Sequence, residues 1–311
     1  MILSLLLSGF LTFVELNCEN LFDCVHDEGK TDMEFLPESV RHWTPARYWR
    51  KLNLIAQELL SCSSETDGIP DLVALCEVEN DSVMHDLTHR SLLRNAGYHY
   101  LMTSSPDQRG IDVALLYSPA SFKPIRHHAI RVNTIEGMRA TRDILYACGE
   151  TVSGDTLHVF VVHQPSKFGG EKHSRPFRQA VAQRLCTSVD SIRVISPDAK
   201  LIVAGDFNDS ADSYSLSLYE QHGLVNMTRE AKGENGVRGT YRYKGEWESI
   251  DHILGSSSVR NKVDTSFIHA PRFLLEEDAR YGGYQPRRTY VGPRYQGGFS
   301  DHLPLVVRLI F

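Results

Sequence analysis

The stretch Leu201-Ile202-Val203-Ala204-Gly205-Asp206-Phe207-Asn208-Asp209 constrains this chain more than any other. Its four consecutive apolar residues read as a buried strand, and Gly-Asp-Phe-Asn follows where that strand leaves its sheet. Open α/β sheets place chemistry at strand ends, because a rigid element stops there and a loop can open a crevice. Asp and Asn are also ordinary turn residues, so this stretch alone leaves a turn and a site both open. What decides between them is that several other strand-like runs end in the same way.

Leu11–Leu16 reads as a strand delivering Asn17 and Asn20, and Asp71–Cys76 as another ending in Glu77-Val78-Glu79-Asn80. Between them, Thr44-Pro45 opens a helix with Thr as N-cap and Pro at the first helical position. Trp49, Leu52, Ile55, Ala56 and Leu59 give that helix one buried face. A second helix is expected over Val83–Asn95, then strands over Tyr98–Thr103 and Val113–Tyr117. Ile144–Thr151 and Leu157–Val162 form a hairpin around Ser153-Gly154-Asp155, ending at His163. A long helix over Arg175–Ser191 precedes the central strand, and a short one covers Ser213–His222. Thr240–Tyr243, Ile250–Leu254 and Leu305–Phe311 are strand-like, while Pro271–Phe299 reads as a loop rich in Gly, Pro, Arg and Tyr. Strands and helices alternate with strand pairs interspersed and without repeat or linker, so the expectation is α/β, a mixed sandwich in a single domain over 1–311.

With 41% hydrophobic and 23% charged residues, the chain has the make-up of a soluble globular protein. Its net charge of -6 disfavours a long nucleic-acid footprint, so any phosphorylated substrate must be held by local Arg/Lys clusters and metal ions. The six cysteines form no Cys-x-x-Cys pair, which argues against a disulfide framework or a zinc site. Met1–Phe10 is apolar, lacks the basic start of a signal peptide and is too short to span a bilayer. It reads as an extension of the first strand or the remnant of an export signal, which slightly favours a cytoplasmic protein. No stable membrane association is expected, and a monomer is.

The strand ends collect Asn17, Glu77, Asp112, His163, Asp206, Asn208, Asp251, His252, Asp301 and His302. There is no serine on a nucleophile elbow, no Walker loop and no dinucleotide fingerprint. Glu77, Asp206, Asn208 and Asp301 offer only oxygen, the donor that suits Mg²⁺ or Mn²⁺. Such an ion can polarise a phosphoryl oxygen and neutralise charge on the leaving oxygen. His252 follows Asp251 on a strand and so points to the opposite face, where a structural role is expected. Glu79 lies two residues from Glu77 and by alternation shares its face.

Asn17 in Leu-Asn-Cys-Glu-Asn, Glu77 in Leu-Cys-Glu-Val-Glu-Asn and His163 in Val-Val-His-Gln-Pro occur in a set order. Gly205-Asp206-Phe207-Asn208, Ser249-Ile250-Asp251-His252 and Ser300-Asp301-His302-Leu303-Pro304 follow them. In type, order and spacing these six motifs resemble the endonuclease/exonuclease/phosphatase superfamily, over essentially the whole chain. The resemblance implies a four-layer α/β/β/α sandwich with two mixed β-sheets and a site where the sheets open. It implies Glu77 as principal ligand of Mg²⁺ (or Mn²⁺), with Asn17 and Asp301 close by. Asp206, helped by Asn208, would orient or deprotonate the attacking water. His302 and His163 would bind the phosphoryl group, each held by a carboxylate, with Asp251 and Asp112 the two partners in unassigned order.

Two loops carry further positive charge: Lys167, Lys172, Arg175 and Arg178 after His163, and Arg280, Arg287, Arg288 and Arg294 before Ser300. Lys167, Arg175, Arg287 and Arg288 are the substrate-binding candidates, with Tyr281, Tyr284, Tyr290 and Tyr295 able to stack on a base or sugar. The expected activity is Mg²⁺-dependent hydrolysis of a phosphodiester, foremost in nucleic acid. A phosphatase or phosphodiesterase for a small phosphorylated sugar, inositol or lipid headgroup is the alternative, and a catalytically silent binding protein is the reading from another class.

Overall fold

The computed structural model describes residues 9–63 and 68–311, so most of the apolar run Met1–Phe10 lies outside the described residues. In chain order the first elements are β1 (Phe10–Leu21), α1 (Pro45–Ser61), β2 (Leu72–Val78), α2 (Asp81–His89), β3 (His99–Met102) and β4 (Asp112–Tyr117). The middle of the chain forms β5 (Phe122–Ile130), β6 (Ile144–Thr151), β7 (Thr156–His163), α3 (Glu171–Ile195), β8 (Lys200–Asp206), α4 (Tyr214–Gln221) and β9 (Leu224–Asn226). Then come β10 (Tyr241–Tyr243), β11 (Glu246–Glu248), β12 (Asp251–Ser256), α5 (Ser257–Arg260) and β13 (Val263–Ile268). The remaining strands are β14 (Leu275–Glu277), β15 (Tyr284–Pro286), β16 (Tyr290–Val291), β17 (Arg294–Tyr295) and β18 (Leu305–Ile310).

Two six-stranded sheets result, one ordered β13-β18-β1-β2-β4-β3 and the other β5-β6-β7-β8-β12-β9. Each is antiparallel except at its centre, where β1 runs parallel to β2 and β7 parallel to β8. Parallel neighbours need a crossover, and α1 and α3 supply the two. Period-two alternation along the strands separates the apolar layers. Phe13, Ala74, Val113, Val159, Ala204 and Val307 meet between the sheets. Val14, Leu16, Val73 and Leu75 turn to Leu52, Ile55 and Leu59 of α1. Phe160, Val162, Leu201 and Val203 turn to Val181, Leu185 and Val189 of α3. Each such buried Leu, Val, Ile or Phe contributes roughly 1.5–3 kcal/mol. The arrangement is the expected four-layer sandwich.

Several local expectations are revised. Thr44 stands at the N-cap of α1, but its side chain makes no capping bond. The helix expected over Val83–Asn95 stops at His89, and a 3-10 turn at Leu92–Asn95 follows, opened by Ser91 accepting from Leu93 N. α3 begins a turn earlier than expected and accommodates Pro176 inside. β5 was hidden in the sequence by Pro124, Arg126, His127 and His128. It is an edge strand with a register shift at Pro124, where proline and polar residues are tolerated. All six cysteines are free. Among the described residues, no helix is long and apolar enough to cross a membrane.

Candidate active site

Pairing register brings the strand ends together. In the second sheet Asp206 stands opposite His163 on its parallel neighbour and opposite Asp251 on its antiparallel one. Gly205 makes this approach possible: its φ is +147°, and a Cβ there would lie 1.8 Å from the Val162 carbonyl oxygen. From the first sheet, Asn17 reaches across and its Nδ2 donates to Asp206 Oδ2 at 3.0 Å. The other Asp206 oxygen accepts from Asn208 N at 2.8 Å, and Asn208 Nδ2 donates to the Gln164 carbonyl at 3.0 Å. Ser300 Oγ donates to the Asn17 carbonyl at 2.6 Å and accepts from His302 N at 3.1 Å, docking the Asp301–His302 turn onto β1.

Strict alternation would send Glu77 to the α1 side with Val73 and Leu75. Instead β2 shifts register between Cys76 and Val78, and Glu77 adopts φ +61°. A non-glycine residue in the left-handed region persists only when its surroundings impose it, and such residues gather at functional sites. Asn208 (φ +52°) is a second instance. The turned-out Glu77 places Oε1 3.9 Å from His163 Nε2 and 3.6 Å from an Arg109 guanidinium nitrogen. Its Oε2 accepts from Asn20 N at 2.9 Å. Glu79 does not follow: it is buried, and its Oε2 accepts from Asp23 N at 2.6 Å.

The two histidines are tuned in opposite directions. His302 is buried, which favours the neutral ring, but the Asp251, Asp301 and Asp206 charges outweigh burial and raise its pKa well above the ordinary value. Its Nδ1 sits 2.8 Å from Asp251 Oδ2, which also accepts from Thr240 Oγ1. His163 is pushed well below the ordinary value by burial and by the Arg142, Arg109 and His302 charges. A neutral His163 makes its 3.5 Å approach to Asp206 a weak polar contact, not an ion pair. Burial and the neighbouring Asp251 push Asp206 up to about 7. Beneath the cluster, between the sheets, Glu15 is wholly buried, and burial with the Asp251 and Asp206 charges raises it too.

Of the two expected histidine–carboxylate pairs, only the one made by Asp251 forms. Asp112 accepts from Thr103 Oγ1 at 2.5 Å and from Ser105 N at 3.0 Å, so it braces the β3–β4 turn while Asp251 alone of the two holds a histidine. His252 behaves as expected: its ring nitrogens meet Asn226 Nδ2 at 3.1 Å and the Asp209 carbonyl at 2.9 Å.

A cleft of about 570 Å³ gathers Asn17, Glu77, His163, Asp206, Asn208, Asp301 and His302, with Lys167 at its edge. The other expected cations are placed elsewhere. Arg175 pairs with Glu171 on α3 at 3.1 Å. Arg287 donates to the Phe273 carbonyl at 3.0 Å and lies over the Phe299 ring. Arg288 binds Asp301 Oδ2 at 2.6 Å, so it positions that carboxylate from behind. In that loop Tyr290 packs against Trp43 and Tyr295, whereas Tyr281 is half-exposed. Sequence reasoning missed Arg109, Arg142, Phe168, Tyr241 and Tyr243, all of which line the cleft. Arg142 had a usable signal: Thr-Arg-Asp precedes a strand, much as Ser-Asp-His does before β18.

The donor set fits a hard divalent cation. Asp206, Asp251 and His302 offer atoms within 4.8 Å of one another. His302 Nδ1, however, is engaged by Asp251, and oxygen is what Mg²⁺ or Mn²⁺ prefers. Glu77, Asn17 and Asp301 line the same cleft and could also hold such an ion through oxygen, with Asn17 Oδ1 accepting from Glu19 N at 3.0 Å and Asp301 Oδ2 from Arg288.

A sequence profile of the endonuclease/exonuclease/phosphatase family matches residues 12–310. Among curated proteins no sequence matches. The fold is similar to a mannosyl-6-phosphatase of Bacteroides thetaiotaomicron, 18% identical, with a TM-score of 0.64 over 97% of this chain and 100% of that one. It is also similar to a humanized TDP2 of D. rerio, 17% identical, with a TM-score of 0.59 over 97% and 100% of the two chains. The human Nocturnin catalytic domain with bound sulfate is 18% identical, with a TM-score of 0.57 over 96% and 93%. With the profile spanning nearly its full length and the site residues converging in one cleft, the chain belongs to the endonuclease/exonuclease/phosphatase family and is a phosphoric ester hydrolase.

Proposed function

We propose that the protein, acting as a single domain, is a Mg²⁺- or Mn²⁺-dependent phosphodiesterase that attacks the ester in line with an activated water. The observation that carries this reading is the meeting of Glu77, Asp206, His163 and His302 in one cleft, two from each sheet. Glu77, with Asn17 and Asp301, would hold the ion, which when bound neutralises phosphoryl charge and stabilises the leaving oxygen. Asp206 orients the water and takes its proton; its two oxygens are pinned by Asn17 and Asn208, and its elevated pKa makes it a competent base near neutrality. His302, kept protonated by Asp251, presents a charged donor to the phosphoryl oxygens as negative charge builds. His163, neutral, can donate a hydrogen bond from the opposite side of the same group. Arg109 and Arg142 extend the cation supply along that wall.

A second reading, hydrolysis of a small phosphate monoester, is favoured by one observation: the available cations are local to the cleft in a molecule of net charge -6. With Mg²⁺ or Mn²⁺, bis-(p-nitrophenyl) phosphate, plasmid DNA, an abasic oligonucleotide and a panel of sugar and inositol phosphates separate the two. Turnover confined to monoesters would replace the first reading with the second, and no turnover on any would sink both. Asp206→Asn and His163→Ala should each lower kcat by at least ~10² with the fold intact; wild-type rates would remove those residues from the mechanism.

A further inference from the structure

We propose that the outer part of the cleft is a stacking subsite for a flat ring, so that the ester cleaved belongs to a nucleoside. This rests on the phosphoesterase reading and adds what the phosphate is attached to. Two large aromatic side chains stand exposed in the cleft: Phe168, 82% exposed, and Tyr243, 51% exposed. They come from different walls. Phe168 follows His163 in the loop before α3, whereas Tyr243 lies on the β10–β11 ribbon. Lys167 Nζ lies 3.5 Å from Glu248 Oε2 of that ribbon, so the two walls approach each other beside Phe168.

The register of the ribbon sets the distance from the chemistry. Tyr241 pairs with Glu248 and Tyr243 with Glu246, so Tyr241 and Tyr243 share one face two residues apart. Tyr241 packs its ring 4.9 Å from that of His302. Tyr243 therefore stands about 7 Å further out, at roughly 3.3 Å per residue. That interval suits a phosphate at His302 joined through a sugar to a base at Tyr243. Lys244 Nζ lies over one face of the Tyr243 ring, 5.0 Å from its centroid, so the opposite face is the one that would take the flat ring. Every base offers a π-face, and stacking on aromatic side chains is how such rings are held without sequence readout.

The test compares two p-nitrophenyl phosphodiesters that differ only in the second ester group, thymidine 5′-(p-nitrophenyl phosphate) and methyl p-nitrophenyl phosphate. The expected result is a KM at least ~10-fold lower for the thymidine ester, and in F168A/Y243A a rise of about 10-fold or more in that KM relative to the methyl ester. The loss should fall in KM and not in kcat, and Tyr243→Phe should restore it. Equal KM values in the wild type, or equal rises for both esters in the double variant, would overturn the subsite. Failure of both esters to turn over would count against the phosphoesterase reading instead. Calorimetric titration of thymidine 5′-monophosphate into wild type and F168A/Y243A then decides the subsite by itself: equal affinity overturns it, and a loss in the variant supports it. An oligothymidylate arm separates nucleic acid, which gains affinity with length, from a free nucleotide, which does not.

Discussion

The two sheets share one wiring and carry different chemistry. Each places a parallel pair at its centre, joined by a crossover helix, and each sends residues to the cleft from matched positions. Asn17 ends the regular pairing of β1 with β2 and His163 closes β7, Glu77 and Asp206 fall at the ends of β2 and β8, and Asp112 and Asp251 open β4 and β12. Even the second-rank contacts match, since Asp112 accepts from Thr103 Oγ1 and Asp251 from Thr240 Oγ1. The divergence comes at the turns that enter β18 and β6. One supplies His302, bound to Asp251; the other supplies Arg142, bound to Asp107 at 3.3 Å. A histidine paired with a carboxylate holds a proton that it can still give up, whereas a guanidinium cannot release its own. On the proposed mechanism, the His302 side of the cleft would therefore move protons, and the Arg142 side would supply fixed charge. The fixed charge also acts within its own side, because Arg142 and Arg109 add to burial in lowering the pKa of His163.

The largest expected effect breaks the match at its tightest point. Gly205 and Cys76 hold equivalent places before Asp206 and Glu77, and both crowd Val162. A Cβ at Gly205 meets the Val162 oxygen at 1.8 Å, while Cys76 Sγ already sits 3.5 Å from it. Gly205→Ala should cost at least ~3 kcal/mol or yield no folded protein, and Cys76→Ala no more than ~2 kcal/mol, by denaturant melts. Similar losses at both positions would show that the crowding is not specific to the second sheet.

Next in size, Asp251→Asn should lower kcat by at least ~10², because His302 loses the partner that keeps it charged. Asp107→Asn should act mainly on KM, by freeing Arg142. If both variants lose kcat alike, the division into proton-moving and charge-holding halves is wrong. Asp112→Asn should change kcat/KM by less than ~10-fold; a loss as deep as that of Asp251→Asn would restore Asp112 as a histidine partner.

The smallest effect lies away from the cleft, at the rim of the first sheet. His269 Nε2 meets Ser61 Oγ at 2.8 Å, and burial together with the Arg308 charge lowers its pKa to about 4. The unfolded ring titrates near 6.5, so between these values the unfolded chain binds the extra proton. Stability is then full above about pH 6.5 and declines as pH falls towards 4. His269→Gln should flatten that decline in melts across the window, and an unchanged slope would assign it to other groups.

Much of the site was legible because its residues sit at strand ends, where short motifs survive in sequence. Gly205-Asp206-Phe207-Asn208 announces a strand, a close approach and two polar groups in four residues. Glu77 was legible by motif and not by periodicity, since alternation alone sends it towards α1. Only the register shift and positive φ turn it into the cleft. Asp112 looked like a second histidine partner because nothing in sequence says that Thr103 and Ser105 will claim its oxygens. Arg109, Arg142, Phe168 and Tyr243 went unread because they lie in turns and a short ribbon, where no periodicity marks the inward face. The Arg/Tyr loop misled for the opposite reason: its composition suits a ligand, but its rings and guanidinia are spent on neighbours such as Trp43 and Phe299.

The place of β18 has a consequence for synthesis. It lies between β13 and β1 and carries in, just ahead of itself, the Asp301–His302 turn that Ser300 ties to Asn17. A chain halted before residue 300 lacks Asp301 and His302 and leaves the edge of β1 open. On the mechanism proposed above, phosphoester cleavage would wait on the docking of β18, which also covers an edge of β1 that could otherwise pair with another chain.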